Sequence, residues 1–294
     1  SVLVTAAEQT LQEIGIASMM QLPGHEATKT AVLSGLLKKR QSVTTSFAAL
    51  ATIPGKSWPQ DQAGTIGEAV LSLLASKEPH ERNSPQARVA LDIGSILRRR
   101  LGAAGRRRFD ARLAELVVPL IKIGTVPERM IYDNETIAVQ AGRPVEFALS
   151  NADKMPHNFA IVLPGTMEEV GELAEATGRD KDAAARSFIP KSTNILAASR
   201  LLQPGQSDSV FFAVPTEPGV YPYVCTYPGH WRRMYGAMYV VADLDAYNAD
   251  SAGYAAANEL KIEDELLNYL GRNTEWKLAD LSGDVEHLHH RGNN

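Results

Sequence analysis

The hydrophobic pattern of the chain changes near Pro127, and this change is the strongest constraint on its fold. Before it, apolar residues recur at helical spacing, as Ile66, Val70 and Leu74 do on one predicted helix face. After it, short alternating stretches are separated by turns that contain glycine and proline, a pattern typical of a β-sandwich or barrel. The sequence therefore predicts an α+β multidomain chain with its helices first and its sandwich second.

The predicted helices are separated by turn-forming pairs at similar intervals: Pro23-Gly24, Pro54-Gly55 and Ser84-Pro85. This spacing is typical of a helical repeat array of the HEAT kind, and an ordinary small bundle is the alternative. After about residue 243 the chain becomes polar and helical again, with "ELKIEDELLNYL" as a predicted amphipathic helix and "HLHHRGNN" as a predicted mobile end. We predict a helical region over 1–124, a sandwich domain over 125–243 and a helical C-terminal tail over 244–294.

Composition excludes several classes of protein. Charged residues make up 22% of the chain, and no apolar run approaches the roughly 18 residues of a membrane helix. The net charge of −4 argues against a nucleic-acid binder, and the arginines at 98–100 and 106–108 are interpreted as the solvated face of a helix rather than a docking patch. The single cysteine excludes an internal disulfide, a zinc ribbon and the C-x-x-C-H haem attachment signature.

That cysteine lies in a loop with two other residues whose side chains are of types that can bind metals. Cys225, His230 and Met234 fall within "CTYPGHWRRM", between two predicted strands, and His157 opens an earlier strand in "KMPHNFAIV". Two imidazoles and a thiolate with a weak axial thioether are the ligands of a blue-copper electron-transfer centre. These donors suit both Cu(II) and Cu(I), so the ligand set is kept when an electron arrives. The sequence therefore predicts a copper site.

The loop motif resembles that of a known family. "CTYPGHWRRM" matches the azurin-type copper loop C-T-[aromatic]-P-G-H-x-x-x-M at every defined position, and "PHNF" resembles the family's first ligand segment. A third stretch, "FIPKSTNILAASRLLQPGQSDSVFFAV", is similar to the azurin segment that follows its helical flap. Residues 126–241 thus resemble the cupredoxins of the azurin and auracyanin subgroup. The resemblance implies a Greek-key sandwich with one type 1 copper held by four ligands: His157, Cys225, His230 and Met234.

The same resemblance implies roles for neighbouring residues. Asn158 is expected to tie the two ligand segments together by a hydrogen bond toward Thr226. The backbone N–H groups of Asn158 and Tyr227 are expected to point at the sulfur of Cys225, where such bonds shift the reduction potential. Pro156 stands where azurins have a glycine whose carbonyl makes a distant axial contact, so four ligands are expected and not a fifth.

Three residues next to His230 form a predicted docking patch: Trp231, Arg232 and Arg233. In cupredoxins the edge of this histidine reaches the surface and passes the electron. A bare tryptophan flanked by arginines is suited to an acidic or haem-carrying partner such as a c-type cytochrome. The alternative is that Trp231 folds into the core.

The predicted function is that of an electron carrier and not an enzyme. Copper oxidases and nitrite reductases need further copper centres and place histidines beside the cysteine, whereas Val224 and Thr226 flank Cys225. A non-redox role as a structural or copper-delivery module is one alternative, although delivery sites are open and rich in methionine, whereas this site is expected to be closed and rigid. The other alternative is the electron-input module of a larger copper- or haem-containing complex, since such domains also occur in large bacterial redox proteins beside c-type haem domains.

The resemblance also bears on location. Blue-copper proteins normally work outside the cytoplasm, so the periplasm or the cell exterior is expected. The N-terminus "SVLVTAAEQT" lacks the pattern of a secretory signal, and we expect that signal to have been removed. A subunit or a processed fragment of a larger complex is compatible with this sequence.

Overall fold

The computed structural model describes residues 2–260. The chain forms two compact units, Ser1–Val118 and Pro119–Asn294. The first unit contains six α-helices: α1 (Val2–Gln21), α2 (Glu26–Lys38), α3 (Val43–Thr52), α4 (Ala63–Ala75), α5 (Pro85–Leu97) and α6 (Ala103–Leu116). Within residues 2–260, no helix is both long and apolar enough to cross a bilayer.

The core of the first unit follows the predicted helix faces. Ile66, Val70 and Leu74 are fully buried along one side of α4, as their spacing predicts. On α5, Ile93 and Leu97 are buried in the same cluster. A buried face on each of several consecutive helices fits a bundle as well as a repeat array, so the HEAT-like repeat stays a prediction.

As far as residue 260, the second unit contains nine strands: β1 (Leu120–Val126), β2 (Ile131–Tyr132), β3 (Thr136–Gln140), β4 (Pro144–Ser150), β5 (Ala160–Val162), β6 (Ile195–Ala198), β7 (Ser207–Ala213), β8 (Gly219–Val224) and β9 (Tyr235–Val241). They form a four-stranded sheet in the order β2-β1-β4-β7 and a five-stranded sheet in the order β3-β9-β8-β5-β6. The pairs β1–β4 and β3–β9 are parallel, and the other pairs are antiparallel. This β-sandwich after a helical region confirms the predicted fold class.

Two apolar layers hold the second unit together. Between the sheets, Val145, Phe147 and Leu149 of β4 are buried at alternate positions, as their spacing predicts. The other layer lies on the outer face of the five-stranded sheet, where helix α7 (Met167–Thr177) covers it. Because α7 covers that face, β8 is buried on both sides, and its residues do not show the polar alternation of an exposed strand.

The two ends of the second unit along the chain differ in part from the prediction. Strand β1 begins at Leu120, inside the stretch predicted to be helical as far as residue 124. Two short helices, α8 (Leu244–Ala249) and α9 (Ser251–Ala257), follow the sandwich and form the described part of the predicted C-terminal helical tail. Asp243 and Asp250 accept backbone N–H bonds at their N-termini. The predicted amphipathic helix, apart from its first two residues, and the predicted mobile end lie outside the described residues.

Candidate metal centre

The candidate centre lies at the end of the sandwich where β8 stops and β9 begins. Cys225 follows β8 directly, and its backbone N–H donates to the carbonyl of Met234 at 2.9 Å, which closes the loop between the two strands. Within the loop, the N–H of Met234 donates to the carbonyl of His230 at 2.8 Å. Gly229 has φ +85°, a left-handed conformation that favours glycine, and so allows the sharp turn before His230.

His157 approaches the same point from an earlier segment. It exchanges two backbone hydrogen bonds with Leu202, at 3.0 and 2.7 Å, and these fix the chain just before β5. Its imidazole Nδ1 lies 3.9 Å from the Cys225 sulfur and 3.1 Å from Nδ1 of His230. The third edge, from the Cys225 sulfur to Nδ1 of His230, is 3.6 Å. The fold therefore brings together three of the predicted ligands, which are separated by up to 73 residues in the sequence.

This triangle of donor atoms fits a single metal ion. Bonds from such a metal to imidazole nitrogen and thiolate sulfur are about 2.0 and about 2.3 Å, and a point inside the triangle lies roughly that far from each corner. His157, Cys225 and His230 are at most 1% exposed, and together they form a group placed to hold a metal. A thiolate and two imidazoles that converge on one buried point fit one type 1 copper centre.

The remaining predicted ligand, Met234, belongs to the same part of the structure. Its side chain is fully buried in the apolar cluster that contains Cys225. Its backbone carbonyl accepts the Cys225 N–H, so the two residues are directly paired across the neck of the loop. This pairing keeps the backbone of Met234 next to that of Cys225, and its role as the fourth ligand stays a prediction.

Hydrogen bonds from the backbone reach the cysteine sulfur. The N–H groups of Asn158 and Tyr227 donate to it, as the resemblance implies. Burial raises the pKa of the Cys225 thiol to about 12, although these two donors act in the opposite direction by stabilising a thiolate. The metal-free protein therefore keeps a thiol, and a bound cation would have to displace its proton.

The Asn158 side chain joins the two ligand segments. Its Oδ1 accepts the backbone N–H of Thr226 at 2.7 Å, and its Nδ2 donates to the Thr226 hydroxyl at 2.8 Å. The same Nδ2 also donates to the carbonyl of Ser187 at 2.8 Å. Asn158 and Thr226 are 2% and 0% exposed, so these bonds are protected from water.

The two histidines have different surroundings. At His157, burial lowers the pKa, and contact with the Asp153 carboxylate partly offsets this effect. At His230, burial and the nearby His157 lower the pKa to about 4. Both imidazoles are therefore neutral at pH 7, which is the form that binds a metal.

His230 is more enclosed than the resemblance implies. Cupredoxins expose the edge of this ring, but His230 is only 1% exposed and its Nε2 is buried without a hydrogen-bond partner in the described part of the chain. The ring of Tyr227 lies 4.8 Å from the His230 ring, and Phe188 packs edge-on against Tyr227 at 4.9 Å. These aromatic rings form part of the cover over the histidine.

The prediction that Trp231 is a bare docking residue is wrong, because its side chain is fully buried. The indole packs against α7 at Gly171, where the absence of a side chain leaves space for it. Its Nε1 donates to Glu175 at 3.1 Å. The alternative, that Trp231 folds into the core, is the one observed.

The two arginines of the predicted patch are exposed. Arg232 places its guanidinium 4.3 Å from the centre of the Trp231 ring, and it lies 3.6 Å from a carboxylate oxygen of Glu175. The Arg233 Nε donates to the carbonyl of Arg129 at 3.1 Å. The exposed part of the predicted patch is therefore the pair of arginines on the ligand loop itself, without the tryptophan.

Two acidic residues of the site were missed by sequence reasoning. Asp153 contacts the outer nitrogen of His157, with 2.8 Å between Oδ2 and Nε2. Glu175 accepts the backbone N–H of Gly229 at 3.1 Å in addition to the Trp231 indole. The spacing Asp-x-x-x-His was visible in the sequence, but in a loop it does not predict contact. Glu175 lies too far from Gly229 in the sequence for any local pattern to indicate it.

Comparisons with known proteins identify the second unit. The family model of copper binding proteins, plastocyanin/azurin family, matches residues 120–241. The chain is 31% identical to auracyanin-A of Chloroflexus aurantiacus over 120 residues, which are 41% of this chain and 73% of auracyanin-A. It is 33% identical to azurin of Pseudomonas aeruginosa over 86 residues, which are 29% of this chain and 55% of that azurin.

A solved structure is also similar to part of the chain. Dithionite-reduced auracyanin from the photosynthetic bacterium Roseiflexus castenholzii is 32% identical, with a TM-score of 0.38, and the match covers 42% of this chain and 98% of that one. Three findings indicate the same family: the sequence identity to auracyanin-A over most of its length, the matching family model and the buried donor triangle. The chain belongs to the plastocyanin/azurin family of copper-binding proteins, the cupredoxins, whose copper serves electron transfer.

Proposed function

We propose that this chain is a one-electron carrier with a single type 1 copper bound by four residues: His157, Cys225, His230 and Met234. The observation that carries the proposal is the buried triangle of two imidazole nitrogens and one thiol sulfur, with edges of 3.1, 3.6 and 3.9 Å. Copper would supply the redox step by alternating between Cu(I) and Cu(II).

The protein would keep the ligands in one arrangement in both oxidation states. Asn158 links the first ligand segment to Thr226, and the N–H of Cys225 pairs with the carbonyl of Met234. These bonds are buried, so water does not compete for them. A ligand set that moves little when an electron arrives suits rapid transfer, because little reorganisation is needed.

We propose that electrons enter and leave on the side of His230. Its ring is covered, and the half-buried Tyr227 lies against it. Arg232 and Arg233 are exposed next to this histidine and offer positive charge to an acidic surface. An acidic redox protein, such as a c-type cytochrome or a haem domain, is the proposed partner.

A second candidate function is that of the electron-input module of a larger copper- or haem-containing redox complex. The observation that favours it is the separate helical unit Ser1–Val118, which lies outside the matched residues 120–241. In this case the chain would act as a subunit or part of an oxidoreductase rather than as a free carrier. We propose the periplasm or the cell exterior for either function, because cupredoxins normally work outside the cytoplasm.

The copper assignment is tested by visible and electron paramagnetic resonance spectra of the purified protein, with a copper count per chain. One copper, intense absorption and narrow hyperfine splitting are expected, and both signals should vanish on reduction. Cys225→Ser should abolish the absorption, while Met238→Leu, a buried methionine change on β9 outside the ligand set, should keep it. A Cys225→Ser variant that stays coloured would refute the site.

The docking surface is tested by charge reversal. Arg232→Glu with Arg233→Glu should slow electron exchange with an acidic cytochrome about tenfold or more at low salt, without changing the spectrum. Lys122→Glu with Arg143→Glu makes the same change in net charge on β1 and in the turn before β4. If both double variants slow exchange equally, net charge and not this surface controls the rate.

A further inference from the structure

A buried carboxylate lies directly behind the first histidine. Oδ2 of Asp153 is 2.8 Å from Nε2 of His157, and the two side chains are only 3% and 2% exposed. The other ring nitrogen, Nδ1, faces the donor triangle. Because an ionised carboxylate only accepts hydrogen bonds, the contact requires the proton on Nε2 and leaves the lone pair of Nδ1 directed toward the candidate metal.

The carboxylate is itself held in place. Its Oδ1 accepts the backbone N–H groups of Glu128 and Lys154, both at 2.7 Å. The backbone N–H of Asp153 donates to the hydroxyl of Thr125 and to Oδ1 of Asn151, both at 3.0 Å. These two backbone donors and the ring of His157 all stabilise the ionised form of the carboxylate. A negative charge is thus fixed beside His157.

The second imidazole has no such support. Nε2 of His230 is buried without a hydrogen-bond partner among the described residues. The two histidines of the donor triangle therefore differ in what holds their outer nitrogens. His157 is backed by an anion, and the orientation of His230 depends on its backbone and on ring packing with Tyr227.

We propose that Asp153 is a positioning residue that orients His157 and lowers the reduction potential of the copper centre. This inference rests on the proposed copper site. A carboxylate bonded to the outer nitrogen makes the imidazole a stronger donor, and partners of this kind change metal affinity by about 10–100-fold. A buried negative charge also favours the more highly charged Cu(II) over Cu(I). Both effects act in the same direction.

The central experiment compares Asp153→Asn with the unchanged protein. The amide has nearly the same shape and still offers an oxygen to His157, but it carries no charge. We expect one copper per chain and a blue colour, with the ratio of Cu(II) to Cu(I) affinity reduced about tenfold, which corresponds to a rise of about 59 mV in reduction potential. The potential is measured by spectroelectrochemical titration.

The matched control is Asp133→Asn. Asp133 is an exposed carboxylate of the same unit that also accepts a backbone N–H, from Gly124 at 2.8 Å. The Asp133→Asn variant makes the same change in net charge but leaves the bond between Asp153 and His157 in place, and the affinity ratio should change less than twofold. An equal effect in both variants would overturn the inference, as would a change below twofold in Asp153→Asn.

A second measurement does not depend on any variant. Long-range proton–nitrogen spectra of the metal-free protein identify which nitrogen of His157 carries the proton. A proton on Nε2 is expected, and a proton on Nδ1 would overturn the inference. If the unchanged protein binds no copper, the proposed function fails and this inference with it. A blue protein whose potential does not respond to Asp153→Asn refutes the inference alone.

Discussion

Removing the side chain of Asn158 tests how the copper loop is held. This amide is 2% exposed and makes three hydrogen bonds: with the N–H of Thr226 at 2.7 Å, the hydroxyl of Thr226 at 2.8 Å and the carbonyl of Ser187 at 2.8 Å. Asn158→Ala leaves the Thr226 N–H buried without a partner, at a cost of about 1–3 kcal/mol, and loses two further bonds of about 1 kcal/mol each. The free energy of unfolding of the metal-free sandwich should fall by about 3–5 kcal/mol.

The variant should keep its blue colour when copper is bound. The bond from residue 158 to the cysteine sulfur comes from the backbone N–H, which alanine retains. Loss of the side chain therefore weakens the link between the ligand segments without removing a donor to the sulfur. We expect copper to dissociate faster while the absorption maximum changes little.

The assay must report on the sandwich alone, because the chain has two units and their unfolding need not be coupled. Hydrogen exchange of the β8 and β9 amides, followed by mass spectrometry, measures the free energy of opening of that unit. Asn194→Ala is the matched control, since this asparagine makes an exposed side-chain bond to Glu169 and should cost less than about 0.5 kcal/mol. If the two variants lose equal stability, Asn158 is not the tether described above.

Two further perturbations have defined outcomes. Gly171→Ala would put a Cβ 2.2 Å from the indole of Trp231, so it should destabilise the sandwich by about 1–3 kcal/mol, as measured by hydrogen exchange. The control is Gly64→Ala, which has open space around it and should not destabilise α4. In the metal-free protein the pKa of His230 is about 4 in the folded state and 6.5 in the unfolded state. Between pH 4 and pH 6.5 the unfolded state therefore binds more protons than the folded state. Stability should be fully present above pH 6.5 and fall by up to about 3 kcal/mol as the pH drops to 4. His230→Gln should flatten this profile, and an unchanged profile would show that another group titrates.

Local patterns in the sequence were sufficient to predict much of the sandwich and its site. Strand β4 was predictable because Val145, Phe147 and Leu149 alternate over one continuous stretch. The ligand loop was predictable because Cys225 and His230 are only five residues apart, with a turn between them. In both cases the informative residues are close in the sequence, where spacing determines which side chains share a face or a turn.

The features that were missed depend on partners distant in the sequence. Trp231 is buried because Gly171, on a helix that begins far earlier in the chain, leaves room for its ring. Strand β1 pairs in parallel with β4, and no turn near Leu120 signals that pairing. Contacts of this kind become visible only when the fold has brought the segments together.

The ligand loop is held from two sides by residues that are not themselves candidate ligands. Asn158 binds it from within the sandwich, and Glu175 on α7 accepts the N–H of Gly229 and the indole N–H of Trp231. A copper-delivery protein must let its metal go, so its ligand loop should open at low cost. Here opening would break buried hydrogen bonds and expose a tryptophan that packs against α7. This cost favours a site that retains its copper and exchanges electrons.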